Sequence, residues 1–313
     1  MKSKAQVSER FRNFDANLTT RPWIVIGMGV RKFTQLLSIR TWTGYGVWAL
    51  ITLVYLLTLF RFILLADADD YPCIEYDEGI QRCLPLDFYG DFGSATSVGG
   101  IRLFLVILAA IASGGLIGND MTNKTIHLYL SRPISRLDYL IARFIPVFLL
   151  LMFVTFVPNL IILSSMWSEN GLETDWLLDH KWLIINLILQ GILYSASYSI
   201  IGLAFSTLLK KEATASSAFF LFVYGTSIIS ETFFFFLEIL DVDGSEYVLL
   251  LSVSHLLDIV SYAIFDTTYY VSAFGIPIEA EIGNLEIGAW YTCIIAGCSG
   301  FMYWMIQQME ANK

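Results

Sequence analysis

The chain has 313 residues, 56% of them apolar and 15% charged, with a mean hydropathy of +0.63 and a formal net charge of −9. Such a composition excludes an ordinary soluble domain and points to helices packed against one another in lipid. The net charge does not mark an acidic protein as a whole, because the two signs are sorted along the chain.

Residues 1–21 form a polar amino-terminal segment, and 22–313 read as a single transmembrane domain. Some forty polar and basic residues precede the first apolar run, so that run is not read as a cleavable signal peptide. From Pro22, a good first helical residue, to about Ile39 the sequence predicts an interfacial helix. Trp23 and Phe33 would sit at headgroup depth, with Arg31 and Lys32 toward anionic lipid. The alternative is a solvated linker.

Spans are predicted at about 46–65, 101–118, 137–166, 182–208, 213–240 and 287–306, each close to the ~20 apolar residues that cross ~30 Å of hydrocarbon. Arg61 can snorkel from the outer end of the first. In the second, Gly114 and Gly115 permit close helix approach. Pro146 and Pro158 predict kinks in the third. The connections 66–100, 167–181 and 241–286 are acidic, and within the last of them 249–265 is too interrupted to be a span.

Charge sets the orientation. Lys2, Lys4, Arg10, Arg12, Arg21, Arg31, Lys32 and Arg40 precede the first span against only Glu9 and Asp15, whereas the loop after it holds eight acidic residues and a lone Arg82. Cations return at Lys124, Arg132, Arg136 and Arg143, and again at Lys210 and Lys211. By the positive-inside rule the amino terminus and the loops 119–143 and 209–213 are cytoplasmic, and six spans return the tail to the same side. Cys73 and Cys83 then lie outside, where a disulfide is favoured over two free thiols. Cys293 and Cys298 read as small buried hydrophobes within the last span.

The most informative stretch is 119–143, NDMTNKTIHLYLSRPISRLDYLIAR. Asp120 or Asn119 can cap a short helix running to about Arg132, where Pro133 stops it. Met121, Thr125, Leu128 and Tyr129 fall on one face of that helix, and Lys124 can pair with Asp120 on the other. Ser135 and Asp138 have capping-box spacing for the next helix. This pattern, an acidic residue at 120, Lys124-Thr125, an apolar run and Leu130 to Arg136, resembles the loop after the second span of type-2 ABC permeases. The stretch Gly202–Ser216, GLAFSTLLKKEATAS, is similar to a corresponding turn.

The resemblance implies an all-α membrane fold of six spans. It also implies an interfacial amphipathic helix before them, a cytoplasmic coupling helix between spans two and three, and re-entrant helices before span six. It further implies a permease subunit, an exporter more than an importer, working with a second permease chain in the lipid bilayer. A separate ABC ATPase subunit would dock on Asp120, Met121, Lys124, Thr125, Leu128, Tyr129, Arg132 and Arg136. Where the family usually has Glu, Gly and Lys, this chain has Asp120, Lys124 and Arg143. An amphipathic loop without a docking role is the plain alternative.

No G-x-x-x-x-G-K-[ST] occurs, so ATP and Mg would bind on the partner and no cofactor on this chain. Nor does any metal-binding or nucleophile-elbow motif occur, and His127, His180 and His255 are scattered. Catalysis by this chain is not expected. Glu231, deep in the fifth span, either faces a translocation path or gate, or is a carboxylate satisfied at interfacial depth. A membrane scaffold acting through its stapled outer loop is the competing function, and a membrane enzyme the third.

Overall fold

The computed structural model describes residues 22–39, 41–66, 73–75, 81–83, 100–123, 135–169, 178, 181–240, 242, 244–265, 269–273, 276–280 and 282–311. Its helices are α1 (Pro22–Leu36), α2 (Trp42–Ala66), α3 (Gly100–Gly114), α4 (Gly118–Thr122), α5 (Arg136–Glu169), α6 (Lys181–Leu208) and α7 (Glu212–Ile239). A 3-10 helix (Ser245–Leu251), α8 (Val253–Phe265) and α9 (Asn284–Ala311) follow. Two short antiparallel hairpins, β1 (Cys73–Glu75) with β2 (Gln81–Cys83) and β3 (Tyr269–Ala273) with β4 (Ile276–Ala280), lie in the connections.

Among the described residues five stretches are long and apolar enough to cross a membrane: Leu103–Thr122, Arg136–Pro158, Ile184–Leu208, Glu212–Ile239 and Leu285–Gln308. α2 adds a 25-residue helix, ~38 Å at 1.5 Å per residue, whose one charged side chain is Arg61. The chain is a multi-pass membrane protein. α5 continues through Pro146 and Pro158 for 34 residues, ~51 Å, well beyond the hydrocarbon thickness.

α6 is the axis of the bundle, in contact with α3, α4, α5, α7, α8 and α9. One apolar core joins Val47 and Ile51 of α2, Leu108 of α3, Leu150 and Val154 of α5, Tyr198 of α6, and Phe219 and Val223 of α7. α1 lies along α5 with Val25 buried, while Trp23, 78% exposed, and Ile24 face outward. Gly29 makes this contact possible: a Cβ there would stand 2.8 Å from the Ile145 side chain.

The second span is found over Leu103–Thr122, with a turn over 115–117 between the end of α3 and α4. Ahead of the last span the 3-10 helix and α8 meet at 110°, a bent pair of the kind that the resemblance implies there. The expected burial of the two cysteines of the last span needs correction. Cys293 is exposed, since α9 is only lightly packed within the chain, and Cys298 is half-buried.

Candidate functional site

The site is built where the second span breaks. A break inside a bundle leaves backbone amides and carbonyls that must be satisfied without water. One buried side chain does most of this. Ser206 of α6 accepts the amides of Ile117 (3.2 Å) and Gly118 (3.1 Å) through Oγ and donates its hydroxyl to the Gly114 carbonyl (2.9 Å). Ser206→Ala should therefore destabilise the solubilised protein by ~1–3 kcal/mol, seen as a lowered melting temperature, because it strands buried polar groups.

α4 is then tied to the turn between α6 and α7. The Thr122 hydroxyl bridges to the Gly118 carbonyl (2.9 Å) and the Lys210 carbonyl (3.1 Å), and the Asn119 amide donates to Glu212 (3.1 Å). A Cβ at Gly115 would lie 2.8 Å from the Glu212 carboxyl carbon, so the glycine pair admits the start of α7.

Asp120 faces the bundle. Its carboxylate pairs with Arg143 of α5 and accepts the Tyr139 hydroxyl at 2.8 Å, and the Arg143 and Asp120 side chains are 5% and 16% exposed. The Arg143 guanidinium also lies 5.3 Å from the centre of the Tyr139 ring. Met121 is buried with Ile117, Leu203, Ala204 and Met302. One expectation is corrected here. Asp120 does not cap a helix: it lies inside α4, whose N-cap position is Ile117 and carries no side-chain cap. Its expected partner Lys124 lies outside the described residues, and the carboxylate is engaged by Arg143 and Tyr139 of the next helix.

The far end of the loop is fixed as the sequence predicts. The Asp138 amide donates to Ser135 Oγ (3.1 Å), while the Asp138 carboxylate accepts the Ser135 amide (3.1 Å) and hydroxyl (2.8 Å). Arg136, half-buried, opens α5. Lys124, Thr125, Leu128, Tyr129 and Arg132 lie outside the described residues.

Of the other predicted residues, Glu231 is half-buried on α7. It stands one turn from Ser227, which is hydrogen-bonded to His255. Cys73 and Cys83 are direct cross-strand partners in the β1–β2 register.

Sequence reading missed a second polar cluster, around the middle of α6. Asp258 and His255 of α8 are buried, 0% and 2% exposed. Tyr194 donates to Asp258 (2.7 Å), Gln190 donates to Ser261 (2.7 Å), Ser227 bonds His255 (3.2 Å) and Tyr291 meets Ser197 (3.1 Å). The available signal was spacing. Gln190, Tyr194 and Ser197 recur at i, i+4 and i+7, as do His255, Asp258 and Ser261 at i, i+3 and i+6, so each helix carries one polar face.

The model of the ABC-2 family transporter protein family matches residues 43–269, well over half of the chain. The chain belongs to this family. It is therefore the membrane-spanning permease component of an ABC transporter, a class whose membrane subunits work with ABC ATPase subunits. The match takes in both the α4 junction and α8, so both are parts of the permease domain and neither is an appendage to it. No curated protein matches the chain. Membership also removes the reason for reading the acidic outer loop as the business end of a scaffold.

Proposed function

We propose that the permease is an exporter subunit driven by a separate ATPase that docks on residues 124–134. The observation that carries this is mechanical: both ends of that loop are fastened. Its start is held by Asp120 to α5 and by Asn119 and Thr122 to the α6–α7 turn, and its end by the Ser135–Asp138 box. A push on a loop fastened at both ends is delivered to α3, α5 and α7 together. Lys124, Thr125, Leu128, Tyr129 and Arg132 would meet the ATPase, with Arg136 at the base of the loop. Asp120 and Met121 serve as fasteners on the inner side. ATP and Mg bind on the partner, where hydrolysis supplies the work.

Two permease chains, identical or related, would form the path. The basic loops give the loop 124–134 and both termini a cytoplasmic orientation. Glu231, a turn from the Ser227–His255 contact, remains the candidate path or gate carboxylate. On the outer side a Cys73–Cys83 bridge fits, because directly paired strand residues have Cα separations within the disulfide range. A mobility shift of the native protein on reduction, abolished by Cys73→Ser, would show that bridge; identical mobility with and without reductant would exclude it.

The docking assignment is tested by solubilising the protein from its native membrane and measuring what co-purifies. An ATPase subunit in about equal amount is expected, and Tyr129→Arg should remove it while membrane insertion stays normal. Recovery of the ATPase with Tyr129→Arg unchanged would move the docking site elsewhere.

A further inference from the structure

α5 runs on as one helix of 34 residues, although Pro158 offers no amide to the Val154 carbonyl and sets its ring against it. The turn ahead of that proline is altered at every carbonyl. The Thr155 hydroxyl donates to the Leu151 carbonyl (2.9 Å) and lies 3.5 Å from that of Met152, while Tyr55 of α2 donates to the Phe153 carbonyl (3.1 Å). The consecutive carbonyls 151 to 154 thus either share their helical bond with a hydroxyl or lack its donor. Proline and back-bonded threonine both bend helices, and here they fall within one turn.

Tyr55 is out of place by the ordinary rules of a span. It stands at the middle of α2, whereas tyrosine favours the membrane interface, where its hydroxyl is wet. Tyr55→Phe would keep the contact with the Phe153 ring, 6.0 Å between centres, and lose only the bond to α5. On the other side Ser195 of α6 stands 3.4 Å from the Thr155 hydroxyl, so the altered turn is gripped from two helices. The inner part of α5 is fastened more firmly. Val147 and Leu150 are buried in the core, and Arg143 ties the helix to Asp120 of α4.

We propose that α5 is jointed over 151–158 and that the Tyr55 hydroxyl is the pin that sets its bend. The inner arm, 136–150, moves with the α4 junction. The outer arm, 159–169, is ~17 Å of helix that turns on the joint separately from the inner arm. The joint does not depend on where the ATPase docks.

The test measures distances by double electron–electron resonance in the full-length protein in lipid vesicles, with its four cysteines replaced by serine. Spin labels are placed at exposed positions. The outer pair is Leu59→Cys on α2 with Ser164→Cys on the outer arm, and the inner pair is Tyr45→Cys on α2 with Ile141→Cys on the inner arm. Ser164 is ten residues beyond Val154, ~15 Å, so a change in bend of ~20° moves it by ~5 Å. Tyr55→Phe should shift or split the outer-pair distances by about that amount and leave the inner pair unchanged. Pro158→Ala, which restores the missing amide, should give one narrow outer-pair distance, and adding Tyr55→Phe to it should change nothing further. An unchanged outer pair in Tyr55→Phe, or an equal change in the inner pair, overturns the joint. So does an effect of Tyr55→Phe that persists undiminished on the Pro158→Ala background.

Discussion

Replacing Arg143 by leucine is expected to cost the permease ~3–5 kcal/mol, the penalty for leaving one member of a buried ion pair without the other. Asp120 would be left between α4 and α5 with Tyr139 as its remaining hydrogen-bond donor among those described above. Asp120→Asn should do comparable harm from the other side. The double replacement Asp120→Leu with Arg143→Met should recover most of the loss, because removing both charges leaves none buried. Thermal unfolding of the four proteins in detergent gives the comparison. Losses that simply add would mean the two residues act separately, and the clamp would have to be abandoned. In the coupled outcome, the double variant tests the mechanism as well. It should fold, insert and bind the ATPase, but hydrolysis should no longer respond to the permease.

The second large effect is expected at Gly118. A Cβ there would stand 2.9 Å from the Lys210 carbonyl, 3.0 Å from that of Ser206 and 3.2 Å from that of Leu209. All three are backbone atoms, which cannot turn aside as a side-chain end can. Gly118→Val must push the α6–α7 turn off α4 and should destabilise by at least the ~1–3 kcal/mol typical of overpacking. The same turn carries the Thr122 and Asn119 bonds, so ATPase binding should fall along with stability. Gly300 on α9 is the contrast, since nothing lies within 4 Å of its Cβ position. Gly300→Ala should be neutral, or stabilising by the ~0.5–1 kcal/mol that alanine gains over glycine in a helix. Size-exclusion profiles after graded heating separate the two. Equal behaviour of the two variants would contradict the tight packing at α4.

These effects show which parts of the architecture could be read in the sequence. Local features were legible. The Ser135–Asp138 box spans three residues, and the Gly114–Gly115 pair announces a close approach wherever the neighbouring helix comes from. Spans were legible as well, since hydropathy is a property of a window. Pairings across helices were not. Asp120 resembles a cap because it stands beside a helix start, whereas its partner Arg143 is 23 residues away. Asp258 and His255 lower the hydropathy of α8 enough to hide a buried helix, and their partners lie 64 and 28 residues away. A polar residue in a membrane segment thus reads as an interruption until its partner is located. Cys293 failed for the opposite reason: an apolar span implies burial in lipid or in protein without saying which, and α9 turns this residue outward.

The docking of the 124–134 loop is addressed most directly by a photo-crosslinking amino acid in place of Tyr129, activated in the native membrane with the permease at its normal level. The account predicts a single crosslinked product containing an ATPase subunit with a G-x-x-x-x-G-K-[ST] motif, lost when Leu128 is changed to arginine. Crosslinks confined to lipid, to the permease itself or to a protein without that motif would contradict it.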